Sequence, residues 1–233
     1  MMIFKNKEWE NFFELDVQKI NILAVEDKTI LWEYCIELIK QSKGEAGNFC
    51  LLKNFEEQSI AKLCCVETDI FGLNLNSKKM QMALIKKCVE LSTNPEFEER
   101  LRNISCELYD FCMSVCQDVG YSIEIEEDID VSGLFKLFSL SLKDSFNSLL
   151  EKLIEYVNIT SEFLKINIYV FLFLSKLLSS VELNKFFEHC KYQGLNLILI
   201  EEAFPNFLEN NTFEYQSLII DSDGFEIIKN CSK

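Results

Sequence analysis

Proline and glycine are scarce in this chain, 2 and 7 of 233 residues. So few breakers exclude a collagen-like, linker-rich or low-complexity protein. With 48% hydrophobic residues, the chain reads as fully folded and mostly helical, one large domain or two small ones. Histidine occurs once, at His189. The 10 cysteines include no CxxC pair; Cys64 and Cys65 are adjacent, and Cys112 and Cys116 stand one helical turn apart. The tight thiolate or imidazole pairs of a zinc site are therefore missing. The cysteines read as small core hydrophobes in a reducing compartment.

Long apolar runs are also missing. Ile166–Leu174 is closed by Lys165 and Lys176, far short of the roughly 20 residues of a membrane span. Met1–Asn11 carries Lys5, Lys7, Glu8 and Glu10 and not the apolar core of a secretory leader, so a cytoplasmic location is expected. Positive charge is short as well: 23 basic against 38 acidic residues, a formal −15. That is a poor overall profile for binding a polyanion. Any nucleic-acid site must be local or assisted by cations.

Ile20–Val25 (INILAV) is a short strand of the fully buried type, followed by a helix with Ile30, Leu31, Tyr34, Cys35, Leu38 and Ile39 at helical spacing and Thr29 as its cap. A strand, a turn and a helix are where a phosphate-binding loop would sit. That loop needs glycines, so that backbone amides can wrap phosphate, and a lysine to reach it. Here the turn is Glu26-Asp27-Lys28, with no glycine and two carboxylates that repel phosphate. Gly44 and Gly47 form the closest glycine pair, and no Lys-Ser or Lys-Thr follows them.

The chain is organised around Thr160–Glu202. Ile166–Leu174 is rich in β-branched and aromatic residues, as expected of a strand buried on both faces. Ser180 caps a helix that turns Val181, Leu183, Phe186, Phe187 and Cys190 inward, Gly194 ends it, and Leu195–Ile200 returns as a second strand. A helix between two such strands implies a parallel pair with a right-handed crossover.

Phe12–Val17 alternates like an edge strand, Glu45–Glu57 reads as a loop or hairpin, and Leu63–Val66 as another strand. From Ser77 the character changes to long helices. Ser77 caps one with Met80, Leu84, Ile85, Cys88 and Val89 on one side. Lys79 and Lys86 lie two turns apart on the other, flanked by Lys78 and Lys87; this is the densest basic patch in the chain, and an ordinary solvated face is the competing reading. Asn94-Pro95 starts the next helix, whose stripe of Phe97, Leu101, Ile104, Leu108, Phe111, Val115 and Val119 suits a bundle or a coiled-coil arm. Gly120 ends it.

Tyr121–Asp130 (YSIEIEEDID) then places Glu124, Glu126, Glu127, Asp128 and Asp130 within seven residues. A hard cation such as calcium, with six to eight oxygen ligands, would relieve their repulsion. The EF-hand pattern is absent, and from spacing alone a solvated acidic linker outranks a calcium site. Ser132 is read as capping a helical region that continues through Phe135, Phe138, Leu142, Phe146, Leu149, Leu153 and Val157. Tyr215–Ile220 is expected as the last strand and Ile227–Lys233 as a frayed tail. The organisation is an α/β head from residues 1–69 and 156–233, with a helical arm, 70–155, inserted.

Four stretches, Ile20–Asp27, Val66–Ser77, Ile123–Phe138 and Ile166–Glu202, resemble in order and spacing the ring-forming, DNA-end-binding adaptation protein of type II-A CRISPR systems. The resemblance implies a parallel-sheet head like a nucleotide hydrolase that has lost its phosphate loop, and a non-catalytic homotetrameric ring that encloses double-stranded DNA. It also implies loading from free ends, calcium binding, a role in acquiring new spacers, and the CRISPR integrase and RNA-guided effector nuclease as partners. It makes calcium the favoured reading of the acidic stretch, with Glu124, Glu126, Glu127 and Asp128 as ligands and Asp130 next. The DNA contacts do not carry over residue by residue; Lys78, Lys79, Lys86 and Lys87 are nominated from the sequence itself.

Two other functions compete. Glu26-Asp27 and Glu201-Glu202 end predicted strands, where α/β sites gather, and paired carboxylates there could hold magnesium for a nucleic-acid enzyme. Alternatively, the arm docks proteins and touches no DNA.

Overall fold

The computed structural model describes residues 1–126, 129–205 and 213–231. In chain order its elements are β1 (Met2–Asn6), β2 (Phe13–Glu14), β3 (Ile20–Val25), α1 (Lys28–Ser42), β4 (Phe49–Lys53), β5 (Glu56–Gln58), α2 (Ile60–Leu63), β6 (Cys64–Glu67), α3 (Lys78–Ser92), α4 (Pro95–Gln117), α5 (Val131–Leu137), α6 (Leu149–Leu164), β7 (Ile168–Leu172), α7 (Ser180–Tyr192), β8 (Asn196–Glu201), β9 (Tyr215–Ile220) and β10 (Glu226–Cys231). They form two units, one from Met1–Leu73 with Ser145–Lys233 and one from Asn74–Asp144.

The first unit is a mixed α/β head. Its main sheet has the order β10-β9-β3-β8-β7-β6. β9, β3, β8, β7 and β6 run parallel, and only β10 is antiparallel. Every residue of β3, β7 and β8 is buried, which is what their continuous apolar runs require of strands covered on both faces. Alternation sorts the side chains. Leu23, Val25, Val170, Ile198 and Leu218 join one core with Phe4, Phe49 and Leu51 from the second sheet, with Trp9 between β1 and β2, and with Leu38 of α1. On the other face Phe171 meets Phe186 of α7 edge-on at 5.6 Å, and Tyr169 shares a 2.7 Å hydrogen bond with Thr160 of α6. The second sheet, β2-β1-β4-β5, is antiparallel throughout. β4 and β5 form the hairpin; Asn54 and Phe55 both take positive φ at its turn, the geometry whose twist matches that of paired strands.

Several sequence expectations need correction. The cap of α1 is Asp27, not Thr29: its carboxylate accepts the amides of Thr29 at 2.8 Å and Ile30 at 3.0 Å. α7 is capped by Ser179, not Ser180. Ser179 and Glu182 bond reciprocally in a capping box, and Val181 therefore points outward, 61 % exposed. The strand expected over Ile166–Leu174 is shorter, because Phe173 turns left-handed and starts a single 3₁₀ turn, Leu174–Lys176. Gly194 does end α7 with positive φ. The expected tail from Ile227 is strand β10 as far as Cys231; 232 and 233 lie outside the described residues. β1 had no counterpart in the sequence reading.

The second unit is helical. Ser77 caps α3, accepting the amide of Met80. Pro95 stands at the first position of α4. The continuous helical region read from Ser132 onward is two helices. Asp130, not Ser132, is the cap residue of α5. That helix closes at Phe138, followed by Ser139 at φ 49°, and α6 restarts in the head behind Ser148, which accepts the amide of Glu151. Asn76 ties the unit's two ends together, donating to the carbonyl of Leu142 at 3.0 Å and accepting its amide at 2.7 Å. No helix among the described residues is long and apolar enough to cross a membrane.

Candidate nucleic-acid interface

All four nominated lysines are exposed on α3. At 100° per residue, Lys79 and Lys86 share a face about 10.5 Å apart along the axis, while Lys78 and Lys87 fall on its opposite flanks. The stripe proper is thus two lysines, widened on each side by one more. Lys78 and Lys79 occupy the first turn, which holds no acidic residue. Cations there oppose the helix dipole, and stability favours carboxylates. Helix formation alone gives no reason for that choice; a phosphate laid against the same turn does, because dipole, free amides and ammonium groups all favour an anion. The ion pair these lysines make among the described residues is weak: Lys86 and Glu90 stand 4.0 Å apart and both are largely exposed.

The acidic stretch lies in the same unit. Among its described residues, two isoleucines are the ones packed. Ile125 and Ile129 are half-buried and line a 320 Å³ cleft with Leu108, Tyr109 and Cys112 of α4 and Leu134 of α5. Glu124, Glu126 and Asp130 are exposed. Asp130 folds its carboxylate over Gly133, where an added Cβ would stand 2.8 Å from Oδ2. Glu127 and Asp128 lie outside the described residues. Among those described, no three histidine, cysteine or carboxylate side chains are gathered to hold a metal. The oxygen donors suit calcium chemically, but Glu124, Glu126 and Asp130 are not brought to a common point.

Three of the four carboxylates at the ends of β3 and β8 are committed locally. Ala24 pairs with Glu201, so β3 and β8 end side by side. Asp27 is occupied as the cap of α1, and Glu26 is exposed. Glu202 pairs with Lys176 at 2.7 Å. Glu201 is 1 % exposed; its Oε1 accepts the amide of Ser175 at 2.9 Å, and its Oε2 is buried without a partner. Burial raises its pKa above the usual carboxylate value. Asp27, Glu202 and Glu201 thus serve a cap, an ion pair and a turn, and no three of these side chains are gathered to hold a metal.

Sequence reasoning missed two clusters. Glu67 at the end of β6 accepts hydrogen bonds from Cys65, at 2.9 Å, and from Tyr156 of α6. Glu226 of β10 accepts three N–H groups, the amides of Glu10 and Asn11 and the side chain of Asn11, at 2.8–3.0 Å. The second joins residues more than 200 apart, which local spacing does not reveal.

A mostly parallel main sheet, a helical insertion, an aspartate-capped turn after β3 and a helix with four exposed lysines define a mixed α/β protein with an inserted helical unit. The model of the CRISPR-associated protein family (Cas_Csn2) matches residues 41–224. The chain belongs to this family, the one of type II-A systems that the sequence resembles. Among solved structures it is similar to the crystal structure of Stu0660 of Streptococcus thermophilus, with a TM-score of 0.63 and 13% identity over 100% of this chain and 76% of that one. At that identity the likeness concerns the fold. No curated protein matches.

Proposed function

We propose that this chain binds double-stranded DNA at free ends, without sequence preference, as a calcium-dependent homotetrameric ring that supports spacer acquisition. The observation that carries this is α3: four exposed lysines, two of them in a first turn that disfavours cations, in a chain of net charge −15. Contacts of this kind reach phosphates and not base edges, so affinity follows backbone charge and falls with salt. The head supports a non-catalytic role. It resembles a nucleotide hydrolase in which the strand–turn–helix of β3 and α1 has an aspartate cap where phosphate would lie. The CRISPR integrase and the RNA-guided effector nuclease are the proposed partners, in the cytoplasm.

Calcium has two tasks in this reading. Four chains carry 4 × (−15) = −60, and DNA approaches such an assembly only if carboxylates are neutralised. Glu124, Glu126 and Asp130, with Glu127 and Asp128, supply the donors, and the ion draws them together. The apolar stripe of α4, with Phe111 64 % and Val115 51 % exposed, is the surface through which arms associate.

The test is a gel shift of linear duplex against a closed circle of the same sequence, with calcium and with chelator. Binding to the linear form alone, and only with calcium, is expected. Equal binding to both forms replaces the ring by a surface groove. Binding to neither refutes DNA recognition and leaves a protein scaffold.

A further inference from the structure

The main sheet ends in an edge that no other strand pairs with among the described residues. Among the described residues β10 is bonded along one side only, to β9. It is six residues long, and its four central residues are exposed. Phe225, Ile227 and Ile228 are 69, 43 and 48 % exposed. Native proteins blunt such edges with proline, bulges, charges or a covering element. β10 contains no proline, and its one lysine, Lys229, is drawn over the ring of Phe204, 5.0 Å from its centre. The opposite edge, β6, is a contrast: four residues, partly buried, its Cys65 and Glu67 tied to α6. β10 is also held firmly in place. Glu226 anchors it through three hydrogen bonds, and Ser217 donates to the carbonyl of Lys229 at 2.7 Å.

We propose that β10 is a self-association edge: two copies pair β10 antiparallel across a two-fold axis, joining two six-stranded sheets into one of twelve strands. Three observations select a second copy as the occupant. The strand is locally neutral, with one acid and one base in EIIKNC, so it is a place where two chains of net −15 meet with little repulsion. An antiparallel edge is self-complementary under a two-fold axis. The sequence also tolerates one register well. A two-fold axis normal to the sheet keeps each face on its own side, so opposed residues have the same parity. Centring on Ile228 sets it against its own copy, with Ile227 beside the stem of Lys229 and Glu226 opposite Asn230. Centring on Lys229 would oppose two lysines, which is destabilising.

This inference rests on the tetramer proposed above and deepens it. A closed assembly of four identical chains built from isologous contacts needs two different ones. The stripe of α4 is one, and β10 is the other.

The test is sedimentation velocity on wild type, Ile228→Lys, Ile228→Glu and an equimolar mixture of the two variants. A wild-type tetramer, each variant at half its mass, and a mixture restored to tetramer are expected, because the register places residue 228 opposite itself. Recovery in the mixture also shows that the variants are folded. A wild-type tetramer that neither variant divides overturns the edge and leaves the ring intact. A wild-type dimer that each variant reduces to monomer supports the edge and refutes the ring. A monomeric wild type, or a dimer insensitive to both variants, overturns the edge.

Discussion

Reversing Lys79 and Lys86 to glutamate separates DNA binding from folding, because the two respond in opposite directions. Both side chains are exposed on one face of α3. Lys86→Glu gives up a long, exposed contact to Glu90, worth little. It also sets two carboxylates four residues apart, at a cost of about 0.2–0.5 kcal/mol that the gain at residue 79, about 0.3–1 kcal/mol, offsets. Lys79→Glu puts a carboxylate in the first turn, where the dipole favours it, so the double variant melts no lower than wild type. Each neutralised phosphate contributes about 0.9 to the slope of log K against log salt. Two lysines therefore account for a slope of about 1.8 for each protomer engaged, or about 12-fold of affinity between 50 and 200 mM salt. Fluorescence anisotropy of a labelled linear duplex, titrated at four salt concentrations in calcium, reads both terms. The variant should bind more weakly at low salt and with a shallower slope. Lys185→Glu, the same charge change on an exposed residue of α7, is the control. An unchanged slope in the α3 variant, or an equal loss in the control, refutes the assignment.

Asp27→Ala removes the only side-chain cap of α1 and should cost about 1 kcal/mol, read as a lower midpoint in urea unfolding; Asp27→Ser should keep most of it. Phe171→Ala empties a site that is 0 % exposed and should cost about 3–5 kcal/mol; a loss under 1 kcal/mol would mean that the packing between β7 and α7 is wrong. Glu201 gives a pH signature. Its pKa is raised in the folded state, chiefly by burial, so the native state binds its proton more tightly and stability falls as pH rises through the folded value. Glu201→Gln keeps the oxygen that accepts from Ser175 and removes the ionisation. Its melting temperature should gain on wild type between pH 4 and pH 7, and a difference independent of pH would refute a buried, ionising Glu201.

The buried strands were the most legible elements. INILAV coincides with β3, because a strand covered on both faces leaves an unbroken apolar run. β10 hid for the opposite reason: EIIKNC is exposed on both faces, so neither alternation nor an apolar run marks it. Phe138 and Phe146 stand at helical spacing from their neighbours, yet Ser139 turns left-handed between two helices with no glycine or proline to signal it. Caps were misjudged by one or two residues where two candidates compete, as with Asp27 and Thr29 or Ser179 and Ser180; the choice depends on which side chain reaches an amide. In the acidic stretch the carboxylates drew attention, whereas the geometry is set by Ile125 and Ile129 against α4. The lysines of α3 were legible as a patch, and the structure adds that two of them stand in a turn that discourages them.

The place of β3 in the sheet governs how the chain is made. Its residues 20–25 lie between β8 and β9, which are residues 196–201 and 215–220. Both partners leave the ribosome about 170 or more residues after it. At about 5–20 residues per second, INILAV waits roughly 10–35 s before either flank exists. The arm contains only local contacts by comparison and can form meanwhile, whereas the head must close late over a long loop. For that interval a strand that is fully buried in the finished protein is exposed as an unpaired apolar segment of the aggregation-prone kind. Growth temperature and translation rate should therefore govern the soluble yield of this protein more than its final stability does.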